Sequence, residues 1–125
     1  MTDVLSGVSS GAGAPSAQTD RFVHARLPPR DQWPDLRYDR PELQIPDAAN
    51  LVATLLGGAH ARGWGERPLL RSPTRTLSYA QAEAEVNRIA RVLTGELGLV
   101  PGNRVLLRGG NSVAMALAWL AVVKA

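Results

Sequence analysis

The residues able to do chemistry are few and scattered. Gly7-Val8-Ser9-Ser10-Gly11 has the spelling G-x-S-x-G, which in a nucleophile elbow holds a serine strained and exposed at a strand-to-helix turn, ready to attack a carbonyl. Here it falls in a Ser/Gly/Ala tract with no strand before it, so that chemistry has no support. Arg108-Gly109-Gly110-Asn111-Ser112 joins an expected strand to an expected helix and could turn backbone N–H groups toward a phosphate at the helix N-terminus. It matches neither G-x-G-x-x-G nor G-K-[ST], and the single lysine, Lys124, does not follow it as a phosphate-gripping lysine would. His24 and His60 have no H-E-x-x-H or cysteine partner, which argues against a metal site; His60 is expected at a helix end, near the negative pole of the dipole. Glu83 and Glu85 stand two apart on an expected helix and so point to different faces, which disqualifies them as a catalytic carboxylate pair. They are expected in solvent, Glu83 reaching Asn87 and Glu85 reaching Arg88. No residue is assigned a catalytic, cofactor-binding or metal-ligating role.

The elements that would position any site follow from the patterning. Residues 1–18 carry almost nothing to bury and are expected to form a disordered tail. Residues 19–46 contain five prolines, which forbid a continuous helix or a central strand. An extended arm is expected there, held to the body by Phe22, Leu27, Trp33, Leu36 and Tyr38. From residue 47 to residue 125 the text is that of an α/β domain. Asp47 can cap a helix over residues 48–61 whose inward face is Ala48, Leu51, Val52, Leu55, Leu56 and Ala59, and Gly63 can end it. A hairpin follows, Pro68 to Arg71 and Thr76 to Ser78, turning at Ser72-Pro73-Thr74-Arg75. Ser78 with Gln81 is a capping box, opening a helix from Tyr79 to Leu97 with Ala82, Val86, Ile89, Ala90, Leu93 and Leu97 inward. Gly98 stops it. Pro101-Gly102-Asn103 turns the chain into a strand, Arg104 to Leu107, and Asn111 or Ser112 caps a last helix from Val113 to Val123. Alternating strands and helices argue for a parallel α/β arrangement with a right-handed crossover. The last helix is apolar on every side and wants cover all round, so the expectation is that Ala125 is a cut, with the covering layers beyond it.

Composition narrows the function classes. Fourteen basic against eleven acidic residues leave a charge of +3, and the arginines are spread from Arg21 to Arg108 rather than clustered. That is a solvated surface more than a nucleic-acid footprint, and with aromatics at 5% a base-stacking platform is hard to build. No cysteine is present, which removes disulfides, Cys-zinc sites and thiol nucleophiles together. The opening residues do not spell a secretory signal, and 113–123 is too short an apolar run to cross a bilayer, which needs about 20 residues. The expected setting is cytoplasmic, without nucleic-acid or membrane partners.

Three stretches, "ARGWGERPLLR", "LSYAQAEAEVNRIARVL" and "LGLVPGNRVLLRGGNSVAMALAWLAVVKA", in that order, resemble the beginning of the AMP-forming acyl- and aryl-CoA synthetases, the adenylate-forming superfamily. In that family a hairpin ends in Thr-Tyr-x-Glu-Leu, a long helix follows, then a Gly-Asp-Arg-Val turn and strand, then an apolar helix ending Leu-Lys-Ala-Gly. Ser78-Tyr79-Ala80-Gln81-Ala82 and Gly102-Asn103-Arg104-Val105 are variants of the first and third. Gln81 still makes the capping box and Asn103 still turns. The arm "LPPRDQWPDL" with "GLVPGNRVLLRGGN" looks most like the 2-aminobenzoate and benzoate CoA ligases.

The resemblance implies a fold and an activity. The chain would be the opening portion of the large N-terminal α/β domain of a parent enzyme that uses ATP, Mg2+ and CoA, with a carboxylic acid, aromatic in this branch, as its other small-molecule partner. The parent would join the acid to the α-phosphate of ATP, release pyrophosphate, and pass the acyl group from AMP to CoA. The family's phosphate loop, adenine contacts, acyl pocket and catalytic lysine all come after the Leu-Lys-Ala-Gly position, so the resemblance assigns no site residue here and implies that the 125 residues alone are inactive. An adenylation domain that loads a carrier protein is the alternative within the family, and a stand-alone basic interaction or nucleic-acid-binding module is the alternative outside it.

Overall fold

A computed structural model describes residues 17–35, 37–44, 46 and 48–125. The G-x-S-x-G spelling, most of the expected tail, the Leu36 anchor and the Asp47 cap lie outside the described residues. Asn50 is the cap that is seen. Its Oδ1 accepts from the Val52 and Ala53 N–H groups, each at 3.1 Å, and the helical segment starts at Leu51 rather than Ala48. The segment is wound as a π-helical turn, Ala53–Gly57, that runs directly into α1, Gly58–Ala61. Val52, Leu56 and Ala59 are buried, whereas Leu51 is 56% exposed and Leu55 39%. The apolar stripe is therefore narrower than a three-and-four-residue pattern predicts. Gly63, at φ 68°, ends the segment in the left-handed region that glycine tolerates.

The hairpin forms as the sequence predicts. Strands β1 (Pro68–Arg71) and β2 (Thr76–Ser78) pair antiparallel, with Leu70 opposite Leu77 and Arg71 opposite Thr76. Ser72 closes the turn: its N–H donates to the Arg75 carbonyl at 2.8 Å and its Oγ accepts from the Arg75 N–H at 3.0 Å. Ser78 then ends β2 and caps α2 (Tyr79–Gly95), with its Oγ accepting from the Gln81 N–H at 3.2 Å and Gln81 Oε1 accepting from the Ser78 N–H at 3.0 Å. Removing the Ser78 hydroxyl breaks half of this reciprocal pair. Ser78→Ala is expected to cost about 1 kcal/mol, read as a lower urea midpoint with an unchanged slope.

Helix α2 packs on α3 (Val113–Lys124). Val52, Leu56, Leu77, Ala82, Val86, Leu117, Leu120 and Ala121 form one core between the helices and the hairpin, with Ile89, Ala90 and Leu93 half-buried against it. Two expectations on these helices change. Leu97 is 72% exposed, because α2 stops at Gly95 and Gly98, at φ 65°, turns the chain away. The apolar α3 buries one face, that of Leu117, Leu120 and Ala121, while Trp119 remains 48% exposed.

The expected strand Arg104 to Leu107 is extended chain without a ladder, and the sheet has two antiparallel strands only among the described residues. A strand is defined by its partner's hydrogen bonds, and none lies beside this segment. The parallel crossover is therefore absent from the described residues, while the mixed α and β character stands. The arm differs too. It makes short 3-10 turns at His24–Arg26, Arg30–Gln32 and Pro41–Leu43, and Phe22, Leu27, Trp33 and Tyr38 are all exposed. No helix among the described residues is long and apolar enough to cross a membrane.

Candidate functional site

The loop before α3 is the one place the sequence offers to a phosphate. Ser112 sits in extended conformation and its Oγ accepts from the Met115 N–H at 3.2 Å, so the serine caps the helix itself and consumes one of the free donors there. A groove of about 430 Å³ runs along the loop, walled by Leu106, Leu107, Ala114, Met115 and Ala118, with Arg108 as its only charge. Lys124 lies at the other end of α3, about 18 Å away at 1.5 Å per residue. The loop thus has a helix N-terminus and Arg108 on one side, and on the other Arg71 of β1, which lines a second groove of about 240 Å³ with Asn111, Ser112 and Val113.

The titratable residues are spent on joining elements. Glu83 holds His60 Nε2 at 2.9 Å and Lys124 Nζ at 3.8 Å, tying α1, α2 and α3 together rather than reaching Asn87. A histidine beside a carboxylate is the pairing that general-base catalysis uses. No hydroxyl is seen in hydrogen-bond contact with His60 among the described residues, so the pair serves as a clasp. Glu85 meets Arg88 at 2.7 Å, as the sequence spacing predicts, and also Arg75 of the hairpin turn at 3.1 Å. The two glutamates face different partners, and each half-exposed pair contributes only about 0 to 1 kcal/mol. His24 stands in the exposed arm.

Sequence reading missed two polar junctions. Asn50, besides capping the first helical segment, donates through Nδ2 to the Val123 and Lys124 carbonyls at 3.1 and 3.3 Å, so one amide closes the start of one helix and the end of another. Asp20 is the second. Its Oδ1 accepts from the Phe22 N–H at 2.8 Å, and its Oδ2 accepts from Asn103 Nδ2 at 3.0 Å and Arg104 Nη1 at 2.7 Å. Asp20 is the second residue of the proline-rich arm, and no motif marks it. No local pattern gives its partners.

The Phe22 N–H, then the Asn103 amide and, after them, the Arg104 guanidinium, favour the charged form of Asp20 and hold its carboxyl below the usual carboxylate range, against an opposing effect of desolvation. A carboxyl depressed on folding contributes stability that is complete above its unfolded value of about 3.9. That contribution is lost as pH falls through the lower folded value. Exchange protection of the Thr19 and Asp20 amides, corrected for intrinsic rates, is expected to be flat from neutral pH down to about 4 and to fall below it.

Residues 58–125, the whole stretch from α1 through α3, match the family model described as "AMP-binding enzyme". The chain is also similar to long-chain fatty acid transport protein 2 of Rattus norvegicus, with 39% identity over 64 residues, which is 51% of this chain and 10% of the relative. It therefore spans about a tenth of the length of that curated relative. No solved structure matches it.

Proposed function

Because the chain belongs to the AMP-binding enzyme family, we propose that it is the opening part of a parent acid-CoA ligase, one that activates a carboxylic acid with ATP as an acyl adenylate and transfers the acyl group to CoA. The family match over residues 58–125 carries this reading, supported by the ordered resemblance from Asn50 to Ala125. In it, residues 1–18 are a tail, 19–46 an arm, and 47–125 an incomplete N-terminal domain, and the cysteine-free composition supports a cytoplasmic setting.

The residues present do not fit the parent's cofactors. Among the described residues no three His, Asp or Glu side chains gather to hold a magnesium ion. The α3 loop brings to a nucleotide an apolar groove with Arg108 and, on its other side, Arg71 of the hairpin, with no lysine beside either. The work of this segment is structural: α2 and α3 bury a common core, and Glu83 and Asn50 fix the ends of the helices. We assign no step of catalysis to it and expect it to be inactive alone.

For the acid, the arm "LPPRDQWPDL" with "GLVPGNRVLLRGGN" supports an aromatic substrate of the benzoate or 2-aminobenzoate type. A long-chain fatty acid is the second reading, favoured by the 39% identity to a protein named for long-chain fatty acid transport. The coding sequence downstream of Ala125 tests the proposal. A Ser/Thr/Gly-rich loop carrying a lysine is expected there. A carrier-protein module further on would instead favour an adenylation domain that loads it, and a stop codon directly after Ala125 would overturn the proposal.

A further inference from the structure

The junction at Asp20 has a geometry that nothing in the ligase reading requires. The Thr19 and Asp20 N–H groups both donate to the Pro101 carbonyl, at 2.8 and 3.0 Å. Both carboxylate oxygens of Asp20 are engaged, by Phe22, Asn103 and Arg104. The Phe22 ring then lies between two guanidinium groups, Arg104 at 3.9 Å and Arg26 at 3.5 Å from its centroid, each a cation–π contact. Thr19, Asp20 and Phe22 of the arm thus close on one turn some 80 positions later. Gly102 makes the approach possible. It sits at φ 97°, and a Cβ there would run into the Asp20 backbone.

The segment that leaves this turn is held by little else. No backbone hydrogen bond is seen from Arg104 through Asn111 among the described residues, and Leu106 is 91% exposed. Its fixed points are the Arg104 side chain at one end and the Ser112 cap of α3 at the other. The geometry points to a conformational latch: residues 19–22 clamp the turn at residues 101–104, and the closed latch sets the position of the 104–112 segment at the entrance to α3. The groups facing Asp20 are Arg104 and Asn103 from the turn and the Phe22 N–H from the arm, with Arg26 stacked on the far side of the Phe22 ring. The charges that close the latch are therefore one carboxylate and one guanidinium, with a second guanidinium behind the ring. Releasing the arm loosens a loop it does not adjoin in sequence.

The absence of cysteine makes the test clean. Gly110 has open space around it and no positive φ, so Gly110→Cys accepts a spin label on the segment without disturbing the latch. Two variants open the latch from opposite sides: Asp20→Asn removes the charge and sets an amide N–H either against the Phe22 N–H or against the Asn103 and Arg104 donors, and Gly102→Ala drives a methyl into the Asp20 backbone. Hydrogen exchange measured by mass spectrometry at low concentration reports the latch through the Thr19 and Asp20 amides. It reports the fold through α2. Each variant is expected to speed exchange at residues 19–20 by about tenfold or more, to leave α2 protected, and to give the label at residue 110 a more mobile spectrum. Fast exchange at residues 19–20 with an unchanged label spectrum would overturn the coupling. Exchange at residues 19–20 as slow in both variants as in the parent sequence would overturn the latch itself. Should one variant lose α2 protection, the other opens the same latch through different atoms and decides the question.

Discussion

Replacing Leu56 by alanine is expected to lower the unfolding free energy by about 2 to 5 kcal/mol, a large effect for a single truncation. Leu56 is 1% exposed and among the largest fully buried side chains. It comes from the π-helical turn and shares one core with Leu77 of β2, Val86 of α2 and Leu117 and Leu120 of α3. A cavity there opens in the core that β2, α2 and α3 share, so no single neighbour can move in to fill it. Domain stabilities are about 5 to 15 kcal/mol in total, so the loss is a large share of what holds the fold. The adjacent leucine is the control. Leu55 is 39% exposed, and Leu55→Ala is expected to stay within about 0.5 kcal/mol of the unaltered chain. Equal costs at the two positions in urea unfolding would show that the segment is wound differently.

The second large effect concerns surface. Leu106 is 91% exposed beside the groove formed by Leu107, Ala114, Met115 and Ala118, and Trp119 is 48% exposed on α3. A large aliphatic side chain left in water forgoes about 1.5 to 3 kcal/mol relative to full burial. Contiguous apolar surface of this sort recruits other apolar surface. At micromolar concentration the 125-residue chain is expected to bind a hydrophobic dye and to sediment as a mixture of monomer and larger species. Leu106→Lys is expected to weaken both without lowering the melting temperature, since the side chain makes no buried contact to lose. A strictly monomeric chain that takes up no dye would contradict this account of the α3 entrance.

What could be read in advance was local. The Ser78–Gln81 box, the turn at Pro101-Gly102-Asn103 and the Glu85–Arg88 pair each depend on residues three positions apart, where spacing fixes geometry. Pairings across long separations left no trace in the pattern. Asn50 reaches carbonyls 73 and 74 residues away, and Asp20 reaches Asn103 and Arg104 over 83 and 84. Arg104 to Leu107 shows the same limit from the other side: its Val and Leu content suits a strand, but a strand exists only where a second one lies alongside. The first helix was misjudged at its edge because a π-helical turn shifts which residues face inward, and Leu51 and Leu55 rotate out. For a candidate site, the legible part was the loop before α3. Its chemistry could not be completed from the sequence because a phosphate site needs groups converging from several elements, and Lys124 stands at the far end of the helix.

The most direct test of the central claim uses the longest open reading frame that contains these 125 residues. Its purified product is incubated with ATP, Mg2+ and CoA, and with benzoate, 2-aminobenzoate or a long-chain fatty acid in separate reactions, and the nucleotide product is identified. The account predicts AMP and pyrophosphate formed only when an acid is present, a thioester of the accepted acid, and no turnover by residues 1–125 alone. Acid-independent release of ADP and phosphate, or thioester formation by the 125-residue chain itself, would contradict it.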